Sequence, residues 1–198
     1  MKALFQNVRY VFLDRDGVIN RKPPEGKYIA QWSDVEFLSG AESAIAALNR
    51  SGRRVIVVSN QRGVALGYYT WADVEALHAR MQEHLARHGA HVDAFYYCPH
   101  DKGDCDCRKP GTGMFLQAFR DLASGGSPGA SASNSVVIGD SISDIEVARA
   151  LGMPSIFIQG DPATRKDGAD VAAGLADAVS ASLSESVGQY FSGEGRTV

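Results

Sequence analysis

Short apolar, β-rich runs recur along the chain at residues 8–13, 55–58, 95–97, 136–138 and 155–158. Most are separated by segments with helical spacing. Val74, Leu77, Met81 and Leu85 repeat at i, i+3 and i+4, and Thr70 stands three residues before Asp73 as a cap. Residues 41–49, 114–122 and 144–151 carry the same period. The runs are apolar throughout rather than alternating. That predicts an α/β fold in which a parallel sheet is covered by helices on both faces.

Residues 124–135 (SGGSPGASASNS) are small and polar, and predict a flexible connector between a helix and the next strand. From residue 184 the chain is rich in Ser and Gly, so residues 184–198 are expected to be a disordered tail behind a single domain of residues 1–183. The chain has 198 residues, enough for one sizeable core. Its formal charge of -3 offers no global attraction to nucleic acid or to an anionic membrane, so any phosphate must be held by local groups. No apolar run nears the roughly 20 residues of a membrane span, and no secretory leader is legible at the start. A cytoplasmic monomer acting on a small molecule is the expectation.

The polar residues that follow the apolar runs carry the chemistry. Residues 11–13 end in Asp14-Arg15-Asp16-Gly17, residues 55–58 in Ser59-Asn60-Gln61, and residues 136–138 in Gly139-Asp140, with Asp144 four positions on. In an open parallel sheet, ligands bind beyond the carboxyl ends of the strands, so these groups should converge. Crowded carboxylates raise one another's pKa unless a cation intervenes. A Mg²⁺ ion held by Asp14, Asp140 and a backbone carbonyl would offset that repulsion. Asp14, ionised at neutral pH, would be a nucleophile needing no base, and Asp16 an acid/base partner. The plainer alternative for Asp14 and Asp16 is a polar strand end with a capping Asp.

Taken in order, DRDGVIN, VVSNQ, RKP and GDSISD resemble the four motifs of the haloacid dehalogenase (HAD) superfamily of phosphohydrolases, over about residues 8 to 160. The resemblance implies a Rossmann-like HAD fold, here without a large cap domain. It implies Asp14 as nucleophile, Asp16 as general acid/base, Ser59 as donor to the phosphoryl group and Lys109 as the cation that neutralises it. Asp140 would bind Mg²⁺ together with Asp14 and the Asp16 carbonyl, and Asp144 would orient the metal shell. By itself, Lys109 would read as an exposed lysine before a proline.

All three cysteines fall between positions 98 and 107. Cys98, His100, Cys105 and Cys107 form two short pairs, a donor set suited to a closed, structural Zn²⁺ site. With little apolar material, the loop would take its order from the ion, and it leads directly into Arg108 and Lys109. Free cysteines beside a surface histidine are the alternative.

A zinc loop between the second and third motifs resembles the branch that holds the manno-heptose bisphosphate 7-phosphatases and the histidinol-phosphate phosphatases. NQRGVALGYYT, LHARM and YYCPH are similar to the heptose enzymes. The short CPHDKGDCDC spacing is nearer the histidinol type, and Ser141 stands where the heptose enzymes often have lysine. On the heptose reading the substrate is a sugar bisphosphate that loses its C7 phosphate. Arg108 would then bind the second phosphate or orient the sugar, while Asn60, Gln61, Arg62, Lys22 and Glu25 line the pocket. That pocket should be shallow, shaped by residues 22–32 and the zinc loop. A histidinol-phosphate phosphatase and a non-catalytic zinc module are the competing readings. His78, His84, His88 and His91 read as surface or boundary residues, because no carboxylate joins His84 and His88 at a suitable offset. Trp32 and Trp71 read as packing.

Overall fold

The structure is a computed structural model that describes residues 2–123, 129–165 and 167–191. Strands β1 (Tyr10–Leu13), β2 (Arg54–Asn60), β3 (Ala94–Cys98), β4 (Ser135–Gly139), β5 (Ser155–Ile158) and β6 (Ala178–Ser180) form one sheet in the order β3-β2-β1-β4-β5-β6. Every neighbouring pair is parallel. Helices α1 (Ala41–Arg50), α2 (Trp71–Arg87), α3 (Gly113–Ala123), α4 (Ile142–Leu151), α5 (Ala169–Leu175) and α6 (Leu183–Tyr190) flank it.

Successive residues of each strand feed opposite layers. Val11 and Leu13 face a core shared with Ile45 and Leu48 of α1, Met81 and Leu85 of α2, and Val187 of α6. Tyr10 and Phe12 face the other core, with Met114, Phe115 and Ala118 of α3 and Val147 of α4. Both faces are therefore buried, which is why the strands lack polar alternation. Each large side chain removed from water contributes about 1.5–3 kcal/mol. The helices begin as the spacing predicts. Thr70 Oγ1 accepts from the Asp73 amide at 3.2 Å, and the Asp73 carboxylate accepts from the Thr70 amide at 2.8 Å.

Two expectations change. Residues 184–191 do not fray: most of them belong to α6, capped by Ser182, whose Oγ accepts from the Glu185 amide at 3.1 Å. Leu183, Val187, Tyr190 and Phe191 are buried beside Phe5, and that burial holds the segment. Residues 192–198 lie outside the described residues. Of the expected connector, residues 124–128 also lie outside them. Residues 129–135 are ordered by Asn134, whose side chain bonds Gly129 and Ser131, and Ser135 already opens β4.

The topology sets the site. Strand β1 pairs with β2 on one side and β4 on the other, so their carboxyl ends lie side by side, and the order of connection reverses beside β1.

Candidate active site

Asp14 follows β1 directly and donates its amide to the Ile138 carbonyl at 3.0 Å, which fixes it against β4. Its Oδ1 accepts from the Arg15 amide at 2.8 Å and meets Lys109 Nζ at 3.0 Å. Lys109 is buried between two elements. Its ammonium donates to the Val58 carbonyl at the end of β2 at 2.7 Å and meets Asp144 Oδ1 of α4 at 2.6 Å. Burial alone would lower its pKa, but Asp14 and Asp144 outweigh burial and hold it above the usual lysine value. The bland reading of Lys109 as an exposed lysine is thus excluded.

Asp14, Asp140 and Asp144 bring oxygens within 4.8 Å of one another. Asp140 sits beneath Gly17, whose φ is 92°, and a Cβ there would collide with the Asp140 carboxylate. Burial, then the nearby Asp14 charge, pushes Asp140 up to about 6, although the Lys22 ammonium pairs with it. Asp140 Oδ1 is buried without a hydrogen-bond partner. An orphaned carboxylate oxygen among crowded acids fits a hard divalent cation held by oxygen ligands. Asp144 Oδ2 accepts from the Ser141 hydroxyl at 2.6 Å and from its amide at 3.1 Å, so Ser141 anchors this acid as the cap of α4.

Asp16 opens onto the cleft. Arg15, which sequence reasoning left without a role, is buried beneath it and donates to both carboxylate oxygens, from Nε at 2.9 Å and Nη2 at 3.0 Å. Asn20 adds a third bond at 2.9 Å. A bidentate guanidinium fixes the carboxylate plane. The available signal was the position of Arg15 between two acids that must point into the same site.

Ser59 and Gln61 end and follow β2, and both are buried. Asn60 exchanges two bonds with the Lys109 backbone, at 3.0 and 3.1 Å, and so ties the lysine's loop to β2. Arg62 is spent on Asp101 of the cysteine loop, which holds that carboxyl at about 2, chiefly through the hydrogen bond from Arg62. Arg108 lines the cleft, and its Nη1 is buried without a partner, leaving donor capacity for an anion.

The cleft measures about 1130 Å³. Asp14, Asp16, Ser59 and Lys109 line it, together with Lys22, Glu25, Tyr28, Tyr69 and, from the cysteine loop onward, Lys102, Cys105 and Arg108. Residues 163–165 and Asp167, which the sequence did not single out, also line it.

Cys98, His100, Cys105 and Cys107 converge as the sequence predicts. The three Sγ atoms lie 3.2–3.5 Å apart, and His100 Nδ1 is 3.2 Å from Cys107 Sγ. A tetrahedral ion with bonds of about 2.3 Å to sulfur would space its ligands by about 3.8 Å, so the cluster is close to that shape. The cysteines form no disulfide.

A family model described as HAD-hydrolase-like matches residues 106–186. The D-glycero-alpha-D-manno-heptose-1,7-bisphosphate 7-phosphatase of Mycobacterium tuberculosis is 38% identical over 88% of this chain and 87% of its own length. The chain belongs to the HAD-like phosphatases. The D-glycero-beta-D-manno-heptose-1,7-bisphosphate 7-phosphatase of Pseudomonas aeruginosa is 40% identical to this phosphatase over 75% of its chain and 80% of the relative. Among solved structures, the D,D-heptose 1,7-bisphosphate phosphatase of B. bronchiseptica, complexed with magnesium and phosphate, superposes with a TM-score of 0.81. The two share 28% identity, covering 93% of the phosphatase and 98% of the neighbour. Among the described residues no helix is long and apolar enough to cross a membrane.

Proposed function

We propose that this phosphatase removes the C7 phosphate of a D-glycero-D-manno-heptose 1,7-bisphosphate. The observation that carries the reading is the unpartnered Arg108 nitrogen on a residue that lines the same cleft as Asp14, a cleft of about 1130 Å³. The relatives' names point to the same substrate class.

Asp14, Asp140 and the Asp16 carbonyl would hold Mg²⁺, with Asp144 orienting its shell. Bound there, Mg²⁺ would reduce the repulsion between the Asp14 carboxylate and the phosphate dianion. An Asp14 oxygen attacks phosphorus as the bond to the sugar oxygen breaks, giving an aspartyl phosphate and a sugar alcohol. Asp16 protonates the departing oxygen, then takes a proton from the water that attacks phosphorus and frees Asp14. Lys109 and the Ser59 hydroxyl balance the charge on the transferring group. Gln61 braces Ser59, Asn60 braces Lys109, and Arg62 braces the cysteine loop, so these three shape the pocket. Glu25 faces the incoming sugar, while Lys22, expected there too, is held by its ion pair with Asp140. Zn²⁺ in the Cys98–His100–Cys105–Cys107 cluster would hold the loop that presents Arg108. A cytoplasmic setting belongs to the same reading, supported by three unpaired thiols, as does a monomer.

The test is phosphate release from heptose 1,7-bisphosphate and from histidinol phosphate with Mg²⁺ supplied. Preference for the bisphosphate, lost on Arg108→Ala, is expected. Preference for histidinol phosphate would overturn the substrate assignment. Wild-type turnover in Asp14→Asn would overturn the mechanism.

A further inference from the structure

We propose that Glu42, His84 and His88 form a second metal site, away from the cleft, for a borderline divalent ion such as Zn²⁺. His84 lies in the last turn of α2, and His88 caps that helix four residues later, so one face presents both imidazoles. No carboxylate stands at a suitable offset on α2 itself; the partner comes from another helix. Glu42, in the first turn of α1, places Oε1 3.2 Å from His84 Nε2. Ligand atoms of all three side chains lie within 4.8 Å of one another.

Neighbouring contacts fix both rings. His84 stacks on Phe37 with centroids 4.2 Å apart and an 18° tilt, and Trp32 packs on it at 5.8 Å. His88 Nδ1 lies 2.9 Å from the His84 carbonyl oxygen. A nitrogen facing an acceptor carries the proton, so His88 Nε2 keeps its lone pair for a metal. That is how a second hydrogen bond fixes the tautomer of a metal-binding histidine. Two imidazoles and one carboxylate suit Zn²⁺ with an open fourth position, and are a poor cage for Mg²⁺. Tetrahedral bonds of about 2.1 Å space ligand atoms by about 3.4 Å. Glu42 and His84 already meet that spacing, and the exposed His88 has room to close the remainder. An ion here would tie α1 to α2 beneath the segment carrying Trp32 and Phe37.

Calorimetric titration with Zn²⁺, in excess Mg²⁺ to occupy the carboxylates of the cleft, tests the site. Wild type should bind one equivalent more than His84→Gln or Glu42→Gln, with at least tenfold weaker uptake of that equivalent in each. His88→Gln, at an exposed position, should show the same loss with an unchanged melting temperature in the absence of added ion. Equal stoichiometry and affinity in wild type and all three variants would overturn the proposal.

Discussion

Gln61 Nε2 donates to Ser59 Oγ at 2.7 Å, while Gln61 Oε1 accepts from the Tyr69 hydroxyl at 2.9 Å. The chain Tyr69–Gln61–Ser59 thus sets the direction of the serine hydroxyl that, on the proposed mechanism, would face the phosphoryl group. Gln61→Leu removes both bonds and deprives the Tyr69 hydroxyl of its acceptor, at a cost of about 1–3 kcal/mol. Turnover should fall about tenfold with little change in KM, since one hydrogen bond to the transition state is misdirected. Adding Tyr69→Phe should restore stability in urea denaturation without restoring turnover. Recovery of both would show that the chain serves packing alone.

Lys109 touches two carboxylates and a backbone carbonyl in the interior. Lys109→Met leaves Asp14 and Asp144 uncompensated, and loss of one partner from a buried ion pair costs about 3–5 kcal/mol. Turnover should vanish. Millimolar Mg²⁺ should recover part of the lost stability by restoring positive charge near the acids, which thermal denaturation with and without Mg²⁺ will measure. A variant as stable as wild type without Mg²⁺ would argue against the charge balance described.

The strand ends and the cysteine cluster were legible because each is written in neighbouring residues. Asp14 and Asp16, or Cys105 and Cys107, declare themselves within one motif. Pairings made across the fold were not. Nothing near His84 announces Glu42, and nothing near Asp101 announces Arg62; both need α1, α2 and the cysteine loop already placed. Helix α6 is a different kind of miss. Leu183, Val187 and Tyr190 keep helical spacing, and Ser182 with Glu185 three residues on is a cap signal, but the flanking Ser and Gly masked it. Strand β6 is only three residues long, too short for a period to show.

The cysteine loop carries Arg108 to the cleft and has little apolar burial of its own. Cys107→Ser removes one of the four proposed ligands, a thiol 3.2 Å from each of the other three donors. Zinc content should drop to near zero at this cluster, and proteolysis should cut between residues 100 and 106 at least tenfold faster. KM for a bisphosphate should rise more than kcat falls, because Arg108 loses its place while Asp14 and Asp16 stay fixed beyond the end of β1. Unchanged zinc content would remove the cluster as a metal site.

His78, expected at the surface or boundary, is buried on α2 against the edge strand β3. It stacks on Phe95 with centroids 4.4 Å apart, and its Nε2 is buried without a partner. Burial, helped by the Arg15 charge, pushes its pKa down to about 3. In the unfolded chain the imidazole titrates near 6.5. Below that pH the unfolded state takes up a proton that the folded state refuses, so stability is full above pH 6.5 and is lost as pH falls toward 3. At pH 5 the loss from this residue is about 2 kcal/mol. His78→Phe keeps a ring against Phe95 and deletes the titration. Urea unfolding at pH 7.5 and pH 5 should therefore show the variant gaining about 2 kcal/mol on wild type at the lower pH. Parallel losses in both proteins would mean that the imidazole is protonated in the folded state, and that Arg15 and its apolar neighbours do not exclude the charge.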